Sequence, residues 1–208
     1  PVVFSVQVDG DTISASAFAV ETSSGEIVTP LCATLRPALE PLEQRTVLLI
    51  GEFSPADALP VSVEIVGQLQ DVNGNSLVGL TGKKVTALES GPSLVYAERF
   101  SPSQSRLAGE CPEQTVQAVQ LTWEGGVTGP QGTDLAEAQR TAVTILLDDG
   151  KSVHPLALGD DDPDNHVIAC IAESSPAISV SVVAGFFHDP GDDANPETRI
   201  TVISKMKE

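Results

Sequence analysis

Short runs rich in Val, Ile, Thr and Leu recur along the chain with Gly, Pro, Asn and Asp between them, a spacing that predicts strands separated by turns. In Val61-Ser-Val-Glu-Ile65 apolar and polar residues alternate. Successive side chains of a strand point to opposite faces, so Val61, Val63 and Ile65 face one way and Ser62 and Glu64 the other, as in a half-buried sheet. The first set of predicted strands covers Val2–Val8, Thr12–Glu21, Glu26–Thr34, Thr46–Phe53, Val61–Gln70, Lys84–Leu88 and Leu94–Phe100. The second covers Thr115–Trp123, Thr141–Leu147, Ser152–Leu158, His166–Ala172, Ile178–Phe187 and Arg199–Lys205. Only Asp134–Arg140 has helical character, with Thr133 or Asp134 as its N-cap. The expected fold class is all-β.

The pattern also repeats. Gly25-Glu-Ile-Val-Thr-Pro-Leu31 returns as Gly150-Lys-Ser-Val-His-Pro-Leu156, an offset of 125. Thr46-Val-Leu-Leu-Ile-Gly-Glu-Phe-Ser-Pro55 then runs beside His166-Val-Ile-Ala-Cys-Ile-Ala-Glu-Ser-Ser-Pro176, and Val61-Ser-Val-Glu-Ile-Val-Gly67 beside Ile178-Ser-Val-Ser-Val-Val-Ala-Gly185. Each copy then enters a polar turn that begins with aspartate, at Asp71 and at Asp189. Four matches in one order predict an internal duplication, which decides architecture before any motif does. Strand pattern fails in Ser101–Glu110, whose Ser, Pro and Gly suit a connector. The expected domains are therefore 1–104 and 105–208. Six or seven strands in each half suit a tandem pair of antiparallel β-sandwiches, with a barrel as the alternative.

Asp71-Val-Asn-Gly-Asn-Ser-Leu-Val-Gly79 resembles the D-x-N-G-N turn of bacterial immunoglobulin-like surface repeats. The resemblance implies an immunoglobulin-like sandwich in a secreted or surface-anchored structural or adhesive module, and it supplies no catalytic residues. The second copy departs from it, reading Asp189-Pro-Gly-Asp-Asp-Ala-Asn-Pro-Glu197 with no Asn-Gly.

Charge narrows the function classes. The 208 residues include 29 acidic and 11 basic side chains, a formal net charge of −18. Nucleic-acid binding draws its affinity from Lys and Arg against phosphate, so that role is excluded. Anionic membrane surfaces repel the chain for the same reason, and no apolar stretch approaches the ~20 residues needed to cross a bilayer. No basic stretch followed by an apolar run opens the sequence, as expected of a mature or trimmed exported protein. A soluble protein is expected, secreted, periplasmic or at a bacterial cell surface, with a protein or glycan as partner. Dividing the chain at Gln104 leaves −7 in the first half and −11 in the second.

The second half also holds most of the candidate chemistry. Asp189, Asp192, Asp193, Asn195 and Glu197 fall within nine residues, and Asp160, Asp161, Asp162, Asp164 and Asn165 within six. Calcium takes six to eight oxygen ligands, which carboxylates and amide carbonyls on a bent loop can supply, so these are the candidate metal ligands. Tight turns use the same residue types, and that competing reading is the stronger one for the second-half loops and stronger still for Asp71–Asn75. His154, His166 and His188 all lie in the second half; with nearby carboxylates they would suit a hydrolase or metal-dependent enzyme if they converged. Trp123 and Phe186-Phe187 would serve a carbohydrate-binding module if exposed and a core if not. Of three cysteines, Cys111 and Cys170 are the expected disulfide, and Cys32 the leftover thiol, buried as a small hydrophobe. No G-x-S-x-G, P-loop, G-x-G-x-x-G or H-E-x-x-H occurs, so the common short catalytic motifs are absent.

Overall fold

The computed structural model describes residues 1–40, 42–53, 58–100, 111–159 and 164–204. It is almost entirely β, and the chain divides into two compact units, Pro1–Ala87 and Leu88–Glu208. The first unit holds β1 (Val2–Val3), β2 (Phe18–Thr22), β3 (Ile27–Val28), β4 (Cys32–Thr34), β5 (Thr46–Ile50), β6 (Pro60–Ile65) and β7 (Thr81–Gly82). The second holds β8 (Leu94–Phe100), β9 (Gln117–Trp123), the helix α1 (Glu137–Ala142), β10 (Val143–Leu147), β11 (Ser152–Val153), β12 (Ala157–Gly159), β13 (His166–Ile171), β14 (Ala177–Val182), β15 (Thr198–Thr201) and β16 (Ile203–Ser204).

Each unit builds one core between two sheets. In the first, the sheets run β3-β2-β6-β7 and β1-β5-β4, and Phe4, Phe18, Val47, Ile65 and Leu69 fill the space between them. In the second they run β11-β10-β14-β15 and β12-β13-β9-β8-β16. Val119, Leu121, Trp123, Val167 and Ile171 from one sheet meet Ile145, Leu147, Val180 and Val182 from the other. Burial of each large side chain contributes roughly 1.5–3 kcal/mol against exposure.

The two units share their order of pairing. β3-β2-β6-β7 corresponds strand for strand to β11-β10-β14-β15, and β4-β5-β1 to β12-β13-β9, which β8 and β16 then extend. Register shifts fall at matching places, between Glu21 and Thr22 where β2 meets β6, and between Leu146 and Leu147 where β10 meets β14. The hairpin turns close with matching bonds. Thr22 N–H donates to Glu26 C=O at 2.9 Å and Gly25 N–H to Thr22 C=O at 2.8 Å; Leu147 N–H donates to Lys151 C=O at 2.8 Å and Gly150 N–H to Leu147 C=O at 2.9 Å.

Several predicted strands are shorter than expected, each for a local reason. Glu26–Thr34 splits into β3 and β4 around Pro30, and Ser152–Leu158 into β11 and β12 around Pro155, since proline has no N–H to give a ladder. The expected strand over Thr12–Glu21 begins only at Phe18, because 3-10 turns occupy Gly10–Thr12 and Ala15–Ala17. Lys84–Leu88 forms no strand; the pairing with β6 is taken by β7, after Leu80 C=O has accepted from Ile65 N–H at 2.9 Å. The helix starts three residues later than expected, and the side-chain oxygen of Gln139, not Thr133 or Asp134, accepts from Ala136 N–H at its start.

β8, which the sequence reading places in the first half, pairs antiparallel with β9 and buries Leu94 and Ala97 in the second core. The second unit therefore begins at Leu88, and the expected junction at 104/105 falls outside the described residues. No helix among the described residues is long and apolar enough to cross a membrane.

Candidate functional site

The turn from His188 to Asn195 gathers the largest described share of the expected metal ligands, and one side-chain oxygen each of Asp189, Asp192 and Asn195 accepts hydrogen bonds from backbone N–H groups. Asp189 Oδ1 accepts from Gly191 N–H at 2.8 Å and from Asp193 N–H at 3.0 Å. Asp192 Oδ1 accepts from Gln131 N–H at 2.7 Å and stands 2.9 Å from His188 Nδ1. Asn195 is buried and fully bonded: Oδ1 accepts from the N–H groups of Phe186 and Phe187, each at 2.9 Å, and Nδ2 donates to Val183 C=O at 3.0 Å and Pro196 C=O at 2.9 Å. Glu197 is exposed. Asp164, from the other loop, is buried and accepts from His166 N–H at 2.6 Å, while Asp160, Asp161 and Asp162 lie outside the described residues. Among the described residues no group of three His, Cys, Asp or Glu is placed to hold a metal ion.

The first unit has the same turn with other side chains. Asp71 Oδ1 accepts from Asn73 N–H and Asn75 N–H, both at 2.9 Å, and Oδ2 from Asn75 Nδ2 at 2.9 Å. In both units the aspartate C=O then accepts from the residue three positions on, Gly74 or Asp192, at 2.9 Å. That residue has positive φ in both, +82° at Gly74 and +65° at Asp192. The Asn75 amide, aided by the N–H groups of Asn75 and Asn73, holds the Asp71 carboxyl below its ordinary range against the opposing effect of burial. Hydrogen bonds to the ionised form cause this direction of shift.

The three histidines have three separate settings. His154 is exposed, with Nδ1 2.7 Å from Val143 C=O. His166 is buried on β13, with Nδ1 3.2 Å from Thr122 Oγ1. His188 belongs to the turn. Trp123 and Phe187 are both fully buried, their ring centroids 4.6 Å apart, so neither offers a face to a sugar. The Glu137 carboxylate grips Arg140 at 2.5 and 2.7 Å, which lowers the Glu137 pKa and raises that of Arg140; Arg140 also donates to Pro155 C=O, tying α1 to the loop before β12.

Cys111 and Cys170 form the expected disulfide, with a Cα–Cα distance of 5.7 Å. It lies on the face of β9 and β13 turned away from the main core, where Ala118, Ile168 and Cys170 make a second buried cluster. Burial on both faces explains why β13 reads as a continuous apolar run. Cys32 corrects the expectation of a buried thiol: it is exposed. It sits on the edge strand β4 opposite Ile50, itself 49% exposed, whereas Ala157 at the matching place in β12 lies opposite the bridged Cys170.

Sequence reasoning missed a polar row on that same outer face. Tyr96, Thr122 and His166 are cross-strand neighbours, with Glu98 and Gln120 beside them, and all five are buried. Tyr96 Oη donates to Glu98 Oε2 at 3.3 Å. The alternation in Gln117-Ala-Val-Gln-Leu-Thr-Trp123 marks these positions as facing away from the core, and only tertiary structure reveals that they too are buried. The row places a phenol, a carboxyl and an imidazole on one buried face. No protein-family model, curated protein or solved structure matches the chain.

Proposed function

We propose that the chain is a non-catalytic module of two repeated immunoglobulin-like β-sandwich units, and that it serves as a spacer or adhesive element. In this reading it is secreted, periplasmic or at a bacterial cell surface, and its partner is a protein or a glycan. The observation that carries the reading is the repeated framework: one strand order, one pair of register shifts and one aspartate turn used twice, with different side chains on each. Repeating a folded unit extends a chain without requiring a reaction centre in either copy. The Cys111–Cys170 bridge supports an oxidising compartment, where disulfides persist, and the charge of −18 suits a protein that must stay dispersed.

Calcium, in this reading, adds stiffness to the second unit's acidic turns. A rise in melting temperature with excess calcium over chelator, not reproduced by magnesium, is the result expected of a ligand held only by the folded state. The spacer role is tested by stretching the 208-residue chain from its ends. Two separate unfolding events are expected. Reductant should lengthen the second unit's event by the 59 residues spanned by the disulfide, at about 3.5 Å per residue. Extension without resistance contradicts the spacer reading. The rival is a hydrolase or metal-dependent enzyme in the second unit, around His154, His166, His188 and the acidic loops; turnover of an ester, peptide or glycoside that His188→Gln abolishes would replace the spacer reading.

A further inference from the structure

The segment that leads into the second unit makes an unusually close backbone approach. Gly91 follows the 3-10 turn Leu88–Ser90, has φ +67°, and is buried together with Pro92. A Cβ built on Gly91 would lie 2.1 Å from the carbonyl oxygen of Ala194 and 3.0 Å from that of Asp193. Only glycine fits there, for two independent reasons: the positive φ and the contact itself. Two residues further on, Ser93 C=O accepts from Glu124 N–H at 2.9 Å, and Leu94 enters the core.

The seat under Gly91 belongs to the acidic turn. Asp193 N–H is held by Asp189 Oδ1, Ala194 is bridged to His188, and Asp192 is tied to Gln131 and His188. The carboxylates that resemble calcium ligands in sequence therefore shape the backbone surface on which the incoming chain rests.

We propose that residues 88–93 are a docked lead-in of the second unit, clasped by the Asp189–Asn195 turn through Gly91, so that this segment is held as part of that unit's fold and is not a loose tether. This deepens the spacer reading, because a docked lead-in leaves less slack chain ahead of the second unit. The device is conformational and requires no bound ligand.

Hydrogen exchange on the full 208-residue chain, followed peptide by peptide, tests it. Docking predicts that amides of residues 88–93 exchange at least about tenfold more slowly than an unstructured peptide of that sequence. Gly91→Ala should remove that protection, while Gly125→Ala, whose Cβ meets nothing within 4 Å, should leave it unchanged. Asp189→Ala, distant in sequence, should raise exchange at 88–93 by loosening the seat, while β9 and β13 stay protected. Exchange of 88–93 at unprotected rates in the unaltered chain overturns the proposal, even if Gly91→Ala fails to fold. So does a folded Gly91→Ala or Asp189→Ala variant with undiminished protection at 88–93. The exchange experiment addresses the docking alone and the stretching experiment the spacer role, so either can fail without the other.

Discussion

The turn after β6 in the first unit and the turn after β14 in the second have one backbone and two chemistries. Where the first places Gly74 at φ +82°, the second places Asp192 at +65°. Glycine reaches that conformation without steric cost, whereas the aspartate there accepts from Gln131, 61 residues away, and lies beside His188 within its own turn. At the next matched position Leu77 contributes to the first core, while Asn195 uses all its amide capacity on backbone groups. The first unit closes its turn locally, and the second uses its turn to tie distant segments together. Acidity in such a loop can therefore arise from structural bonding, and a ligand set has to be judged by where each oxygen points.

The widest gap between the units should appear in their cores. Trp123→Ala should cost the second unit ~3–5 kcal/mol, lowering its melting transition while leaving that of the first in place; equal shifts in both would mean that the units do not unfold separately. Asn195→Leu, which copies the residue of the first unit, should cost about 1–3 kcal/mol for each backbone group left unpaired, so denaturant unfolding should show a clear loss. If the side chains were interchangeable between the units, the substitution would be tolerated. Gly74→Asp should cost about 1 kcal/mol by forcing a side chain into the left-handed region, measured by the denaturant midpoint, while Asp192→Gly should be closer to neutral, since relief of strain offsets the lost bonds.

The smallest effect is a pH dependence confined to the first unit. The Asp71 carboxyl is held below its ordinary value of 3.8, so its contribution is fully present above that pH and is lost as pH falls through the depressed folded value. Asp71→Asn should flatten the acid limb of the first unit's melting temperature against pH and leave that of the second unchanged.

Strand content was legible wherever apolar runs were long, as in β9, β13 and β14, because core burial and strand propensity agree there. It was less legible around Pro30 and Pro155, which interrupt ladders inside good apolar patterns, and over residues 10–17, where 3-10 turns take the place of strand. The two units share register shifts and turn bonds beside the segments that match in sequence. The disulfide was legible from the positions of Cys111 and Cys170, but the exposure of Cys32 was not, since it depends on what lies over β4. The acidic turns were legible only as concentrations of oxygen. Their partners, among them Gln131 for Asp192, and Thr122 for His166 44 residues away, are set by tertiary contacts that local spacing does not encode.

Calorimetry of the intact chain with and without reductant tests most directly the claim that one framework is used twice and reinforced differently. Two transitions are predicted, of which only that of the second unit falls on reduction, by the equivalent of ~2–4 kcal/mol for the Cys111–Cys170 bridge. A single transition, or a reductant effect on both or on neither, would contradict it.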